Sequence, residues 1–183
     1  MDVIYLQPFG DVNYSTLNFL RDKLSQKFSV ECRTRERVDL TEEAYDPARK
    51  QHKSAVFLDQ LRVFLSRETS KCLAVVDVDI YAPGLNFIFG EAEVRGRFAV
   101  ISLFRLWPQF YGLAPDTDIC QERALKEAVH ELGHTFGLGH CGNPTCVMHF
   151  SNSIDDTDKK SDSPCSDCQS TLANKFKDLN FGG

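Results

Sequence analysis

One run of the 183-residue chain carries the elements of metal chemistry: His130-Glu131-Leu132-Gly133-His134, followed by Gly137 and His140. On a helix, four residues advance about 400° and ~6 Å, so the imidazoles of His130 and His134 point to one side, one turn apart. That separation suits two ligands of a single tetrahedral ion, each nitrogen roughly 2.0–2.1 Å from it. Glu131 lies about 100° further round the helix. From there its carboxylate can reach a water on the ion without being a ligand itself. Gly137 can take the left-handed conformation that ends a helix. The chain can then turn back and present His140 as a third ligand. Three protein ligands leave one position for water, the arrangement of a catalytic zinc. Zinc lowers the pKa of such a water from about 15.7 to around 7, and Glu131 can take its proton during attack on a carbonyl. H-E-x-x-H alone recurs by chance. The extended H-E-x-x-H-x-x-G-x-x-H, with every fixed position filled, is far more specific. The metal stays open at this point, because imidazoles also bind iron, nickel and copper.

A second set of potential ligands follows. Cys141, Cys146, Cys165 and Cys168 are spaced C-x₄-C and C-x₂-C, which suits a closed tetrahedral structural zinc. Such a site would hold the Gly- and Pro-rich loop that presents His140. One or two disulfides, or a redox-active C-x-x-C pair, are the alternatives. The remaining three cysteines, Cys32, Cys72 and Cys120, read as small buried hydrophobes. His149 reads as a loop side chain. His52, among Arg49, Lys50 and Lys53, reads as solvated.

These groups need elements to position them. Residues 3–6 read as a short buried strand closed by Gln7-Pro8. Leu17, Leu20, Leu24 and Phe28 recur at helical spacing, predicting a helix over residues 13–28. Further strands are expected at residues 29–33, 72–78, 86–91 and 97–103, and a second helix at 54–67. Residues 34–53 have no clean period and read as loop. Alternating strands and helices favour a mainly parallel sheet, and the doubled strands after Pro83-Gly84 suggest an antiparallel edge. The metal-binding helix carries an apolar stripe at Leu125, Ala128, Val129, Leu132 and Phe136, with a start expected at Asp118 and Gln121 and a Glu122–Lys126 pair on its solvent side. Gly133 costs ~1 kcal/mol in mid-helix, so a close approach of another backbone is expected there. A last short helix is expected around Leu172, Phe176 and Leu179.

Composition excludes several classes. Lys plus Arg is 21 and Asp plus Glu is 26, a formal charge of −5, which argues against a nucleic-acid partner. No stretch approaches the ~20 apolar residues of a membrane span, and the first residues lack a secretory leader. The expectation is a cytoplasmic monomer with no membrane association, in a compartment where spaced cysteines bind metal more often than they form disulfides.

The run His130-Glu131-x-x-His134-x-x-Gly137-x-x-His140-Cys141, with Cys146, Met148 and Cys165-x-x-Cys168, closely resembles the archaemetzincins, a branch of the metzincin clan of zinc metallopeptidases. The resemblance is most specific over residues 127–168 and looser over 83–92. It implies an α+β, metzincin-like fold in a single domain spanning residues 1–183. An upper part, 1–137, would hold the sheet and catalytic helix, and a lower part, 138–183, the zinc-bound cysteines. It implies two Zn²⁺, one catalytic and one structural. It places Met148 in a tight turn beneath the catalytic zinc as a floor rather than a ligand. It makes residues Asn86, Phe87, Ile88, Phe89 and Gly90, continuing to Ala92, the edge strand that pairs antiparallel with an extended peptide or protein substrate. Two departures from the family are expected: no inhibitory pro-segment before the first strand, and a polar loop at residues 149–164 whose mobility could gate access. The implied function is zinc-dependent hydrolysis of peptide bonds, weak or poorly defined in specificity. A zinc-stabilised module that binds peptides without cutting them is the alternative.

Overall fold

In a computed structural model, residues 3–65 and 70–172 are described. The elements are β1 (Val3–Phe9), α1 (Tyr14–Phe28), β2 (Glu31–Thr34), β3 (Tyr45–Asp46), β4 (Gln51–Lys53), α2 (Ser54–Phe64), β5 (Lys71–Val76), β6 (Ile80–Tyr81), β7 (Gly90–Ala92), β8 (Phe98–Ser102), α3 (Thr117–Thr135) and α4 (Ile154–Lys159). Residues 166–172 are also helical, while Phe176 and Leu179 lie outside the described residues.

The central strands are apolar on both faces, as strands covered on two sides must be. Leu73 and Val75 of β5 join Ala99 and Ile101 of β8 against α1 and α3. Cys72, Ala74 and Val76 join Phe98 and Val100 against Phe57, Leu58 and Leu61 of α2. The resulting sheet has the order β2-β1-β5-β8-β7. Its first four strands are parallel, and β7 runs antiparallel to β8 at the edge. This is the expected α+β architecture, and α1 has the expected start: Asn13 Oδ1 accepts from Ser15 N at 2.8 Å.

Five details differ from the sequence expectations. β1 continues through Pro8 to Phe9, because Pro8 sits beyond the last β2 partner, Thr34, and its carbonyl accepts from Val38 N. The expected loop at 34–53 contains β3 and β4, which join β6 in a second, three-stranded sheet. His52 lies in that sheet, half-buried with its ring tilted against those of Tyr45 and Phe57 rather than solvated. The N-cap of α3 is Asp116, whose Oδ1 accepts from Ile119 N at 3.0 Å, not Asp118. Lys126, expected beside Glu122, instead donates to the carbonyls of Thr157 and Asp158.

Candidate metal centre

Helix α3 is buried along its last two turns, which carry both histidines and Glu131. Its end sets the third histidine. Gly137 takes φ 85°, and its N–H donates to the His134 carbonyl while Leu138 N donates to the Gly133 carbonyl. This paired closure is the Schellman arrangement, and it turns the chain back under the helix. Lys71 reaches from β5 to donate to the Thr135 carbonyl, taking up another terminal acceptor.

The turned-back chain fixes the imidazoles. His134 Nδ1 donates to the Leu138 carbonyl at 2.8 Å, and His130 Nδ1 donates to the Val147 carbonyl at 2.7 Å. A carbonyl only accepts, so each Nδ1 carries the proton and each Nε2 keeps its lone pair. The two Nε2 atoms lie 3.0 Å apart. That spacing fits two donors of one ion, each at roughly 2.0–2.1 Å. His140 completes a group whose ligand atoms all lie within 4.8 Å of one another, and it is the exposed member. Burial holds the His130 imidazole down to about 4, and lowers His134 and His140 as well. Neutral rings are the form a metal takes. The donor set fits zinc.

Met148 is fully buried beneath this group. Its carbonyl accepts from Cys141 N, and His149 N closes a tight turn onto the Cys146 carbonyl. Gly133 now has its reason: a β-carbon there would fall 2.5 Å from Met148 Sδ. The close approach is a side chain and not the backbone expected from the sequence. His149 turns its Nδ1 to the Cys141 carbonyl.

The four cysteines also converge. Cys141 and Cys165 place their sulfurs 3.8 Å apart, and Cys146 and Cys168 theirs 3.9 Å apart. A disulfide needs about 2.05 Å. Four thiolates at about 2.3 Å from one tetrahedral ion would stand at nearly the observed spacing. The other cysteines, Cys32, Cys72 and Cys120, are buried in the core as expected.

Glu131 is buried against the edge of the sheet, where Gly90 leaves room for it. Burial raises its carboxyl well above the usual carboxylate range; Glu127 and Glu91 add to the shift and Lys160 opposes it. A cleft of about 230 Å³ opens beside it, lined by Leu85, Asn86, Phe87, Ile88, Phe89 and Gly90 on one side, by Phe150, Ser151 and Asn152 on the other, and by Glu127, His130 and Glu131 along the helix. The expected edge strand is shorter than its sequence pattern. Residues 90–92 pair with β8 and the Phe89 carbonyl accepts from Ser102 N, while Ile88 N donates to the Ile80 carbonyl of the second sheet. The carbonyls of Leu85 and Asn86 are taken by Arg49, and Gln51 also donates to Asn86. These bonds pull residues 85–88 away from the main sheet.

The sequence reading missed Glu127 and Lys160. Lys160 Nζ and Thr157 Oγ1 both donate to Glu127 Oε1 at 2.9 Å, and Lys160 is among the largest fully buried side chains. A signal was present: Glu127, His130, Glu131 and His134 repeat at i, i+3, i+4 and i+7, a polar stripe on an inward face. The expected mobile loop at 149–164 holds α4, started by a Ser153–Asp156 capping box. Arg123 pins it to α3 through a bidentate pair with Asp158 at 2.7 Å.

Comparisons with known proteins identify the family. The profile of peptidase family M54 matches residues 25–174. An archaemetzincin of Pyrococcus abyssi is 49% identical over 174 residues, covering 92% of this chain and 93% of its own. The crystal structure of archaemetzincin from Methanopyrus kandleri superposes with a TM-score of 0.85 at 38% identity, covering 96% of each chain. A zinc-dependent peptidase from Methanocorpusculum labreanum superposes with a TM-score of 0.82 at 28% identity, covering 92% of this chain and 99% of its own. With a zincin helix, three convergent imidazoles and relatives of nearly equal length, the chain belongs to peptidase family M54, the archaemetzincins, whose chemistry is zinc-dependent peptide hydrolysis.

Proposed function

We propose that His130, His134 and His140 hold the catalytic zinc and that Glu131 is the general base and then the general acid of peptide-bond hydrolysis. The observation that carries this reading is the pair of Nδ1–H···O=C bonds that leave both helix imidazoles with Nε2 lone pairs 3.0 Å apart. When bound, zinc supplies a Lewis acid that acidifies water and polarises the scissile carbonyl. Glu131 accepts the proton of the attacking water at its carboxylate and hands it to the amine as the C–N bond breaks. Gly90 and Ala92 hold the peptide by main-chain pairing along the cleft.

Cys141, Cys146, Cys165 and Cys168 hold a second, structural zinc in this reading. It ties the loop of His140 and the turn of Met148 to the C-terminal part. The domain then divides into an upper part, 1–137, and a lower part, 138–183. Thiols grouped for metal suit a reducing, cytoplasmic setting, and the working unit is a monomer. Among the described residues, no helix is long and apolar enough to cross a membrane.

The test is cleavage of a mixed peptide library. Chelation should abolish cleavage and zinc should restore it. Cleavage that persists after complete metal removal would contradict the reading.

A further inference from the structure

The cleft beside Glu131 does not end in an apolar floor. Its walls are aromatic, with Phe87 and Phe89 on the sheet side and Phe150 opposite. Its helix side carries Glu127, one turn before Glu131, backed by Lys160 and Thr157 on a single carboxylate oxygen. Ser151 also lines it, and its buried hydroxyl has no hydrogen-bond partner among the described residues. That leaves the hydroxyl free to donate to a polar group that enters the cleft.

The position along the substrate follows from direction. A peptide antiparallel to β7 lays its C-terminal half against residues 85–89. The cleft is lined by residues 85–90 and not by 91 or 92. It therefore receives the side chain that follows the scissile bond.

We propose that this pocket selects a carboxamide, glutamine or asparagine, at the residue following the scissile bond; this rests on the peptidase reading above. A carboxamide carries an N–H₂ that donates to Glu127 and a C=O that accepts from Ser151. Its methylene stem packs against the aromatic walls. The other side chains fit less well. An acidic one meets Glu127 and Glu131. An aliphatic one strips water from Glu127 and Ser151 and returns no hydrogen bond. A lysine or arginine brings a second cation to a carboxylate that Lys160 already neutralises.

The experiment uses zinc-loaded Glu131→Gln protein and alanine peptides with one variable residue, read by calorimetry. Glutamine and asparagine peptides should bind about tenfold more tightly than leucine, lysine or glutamate peptides, the value of one or two good hydrogen bonds. Ser151→Ala should cut the glutamine-over-leucine ratio by about threefold or more. Equal affinities, no measurable binding, or a preference for leucine or lysine would overturn the proposal. Wild-type hydrolysis of the same peptides, read by mass spectrometry, separates the two claims. Cleavage without a carboxamide preference removes the proposal and keeps the peptidase reading. A preference in binding with no cleavage keeps the pocket's selection of a carboxamide and removes both the peptidase reading and the placement after a scissile bond.

Discussion

Gly90 lies so close to Glu131 that a β-carbon on it would stand 2.6 Å from Glu131 Cγ and 2.8 Å from the Val100 carbonyl oxygen. The edge strand and α3 therefore meet at a glycine, which leaves room for the Glu131 carboxylate beside that strand. Gly90→Ala must displace either Glu131 or the strand, since Val100 is sheet backbone and cannot give way. A misplacement of about 1 Å costs about 100-fold in rate. Peptide cleavage by zinc-loaded Gly90→Ala should fall on that scale, with the far-ultraviolet circular dichroism kept. Wild-type activity in that variant would show that Glu131 does not act from this position.

Lys160 and Glu127 make a second test, of stability. Lys160→Ala leaves a buried carboxylate without its cation, which costs about 3–5 kcal/mol. Replacing both members, with Glu127→Leu and Lys160→Met, should recover most of that loss. Urea unfolding of the zinc-loaded proteins measures both. A Lys160→Ala midpoint equal to wild type would contradict the pairing.

In the metal-free protein the three imidazoles should cost stability in acid. Burial holds folded His130 at about 4 against an ordinary 6.5. The unfolded chain thus takes up the proton first as pH falls. The folded state keeps its stability above about 6.5 and loses it progressively towards 4, by about 3 kcal/mol from this group alone. His134 and His140 are shifted in the same direction and add to the loss. Glu131, raised by burial, works the other way, because the folded state takes up its proton first. Urea midpoints of chelated Glu131→Gln protein at neutral pH and near pH 4.5 remove that carboxyl and check the sign for the imidazoles. A midpoint that holds or rises in acid would contradict it.

The zinc count is a further prediction. Properly folded protein should carry two zincs per chain, and Cys165→Ser should carry one and lose part of its structure. The measurement is elemental analysis beside circular dichroism. One zinc in well-folded wild type would remove the four-cysteine site.

Much of this arrangement was legible in the residues. The helix that carries the histidines has a long apolar stripe, so its existence, direction and inward face could be read from periodicity. Gly137 could be read as its end, because only a left-handed residue lets the chain turn back so soon. The cysteine spacings pointed to a tetrahedral site. Two kinds of feature could not be read. β3 and β4 have two and three residues, too short for any period to show. The pairing of Glu127 with Lys160 spans 33 positions, and nothing local to either residue names the other. The edge strand failed for a third reason. Residues 86–89 have strand composition, but Arg49 and Gln51 claim the Asn86 carbonyl and Ile88 N turns to the second sheet. That competition exists only in three dimensions.

The central claim is that Glu131 moves the proton in peptide hydrolysis. Glu131→Gln keeps the shape of the side chain and removes the base. With zinc occupancy matched by elemental analysis, cleavage of a peptide library by this variant should fall to background while wild type cleaves; equal cleavage by the two proteins would contradict the account.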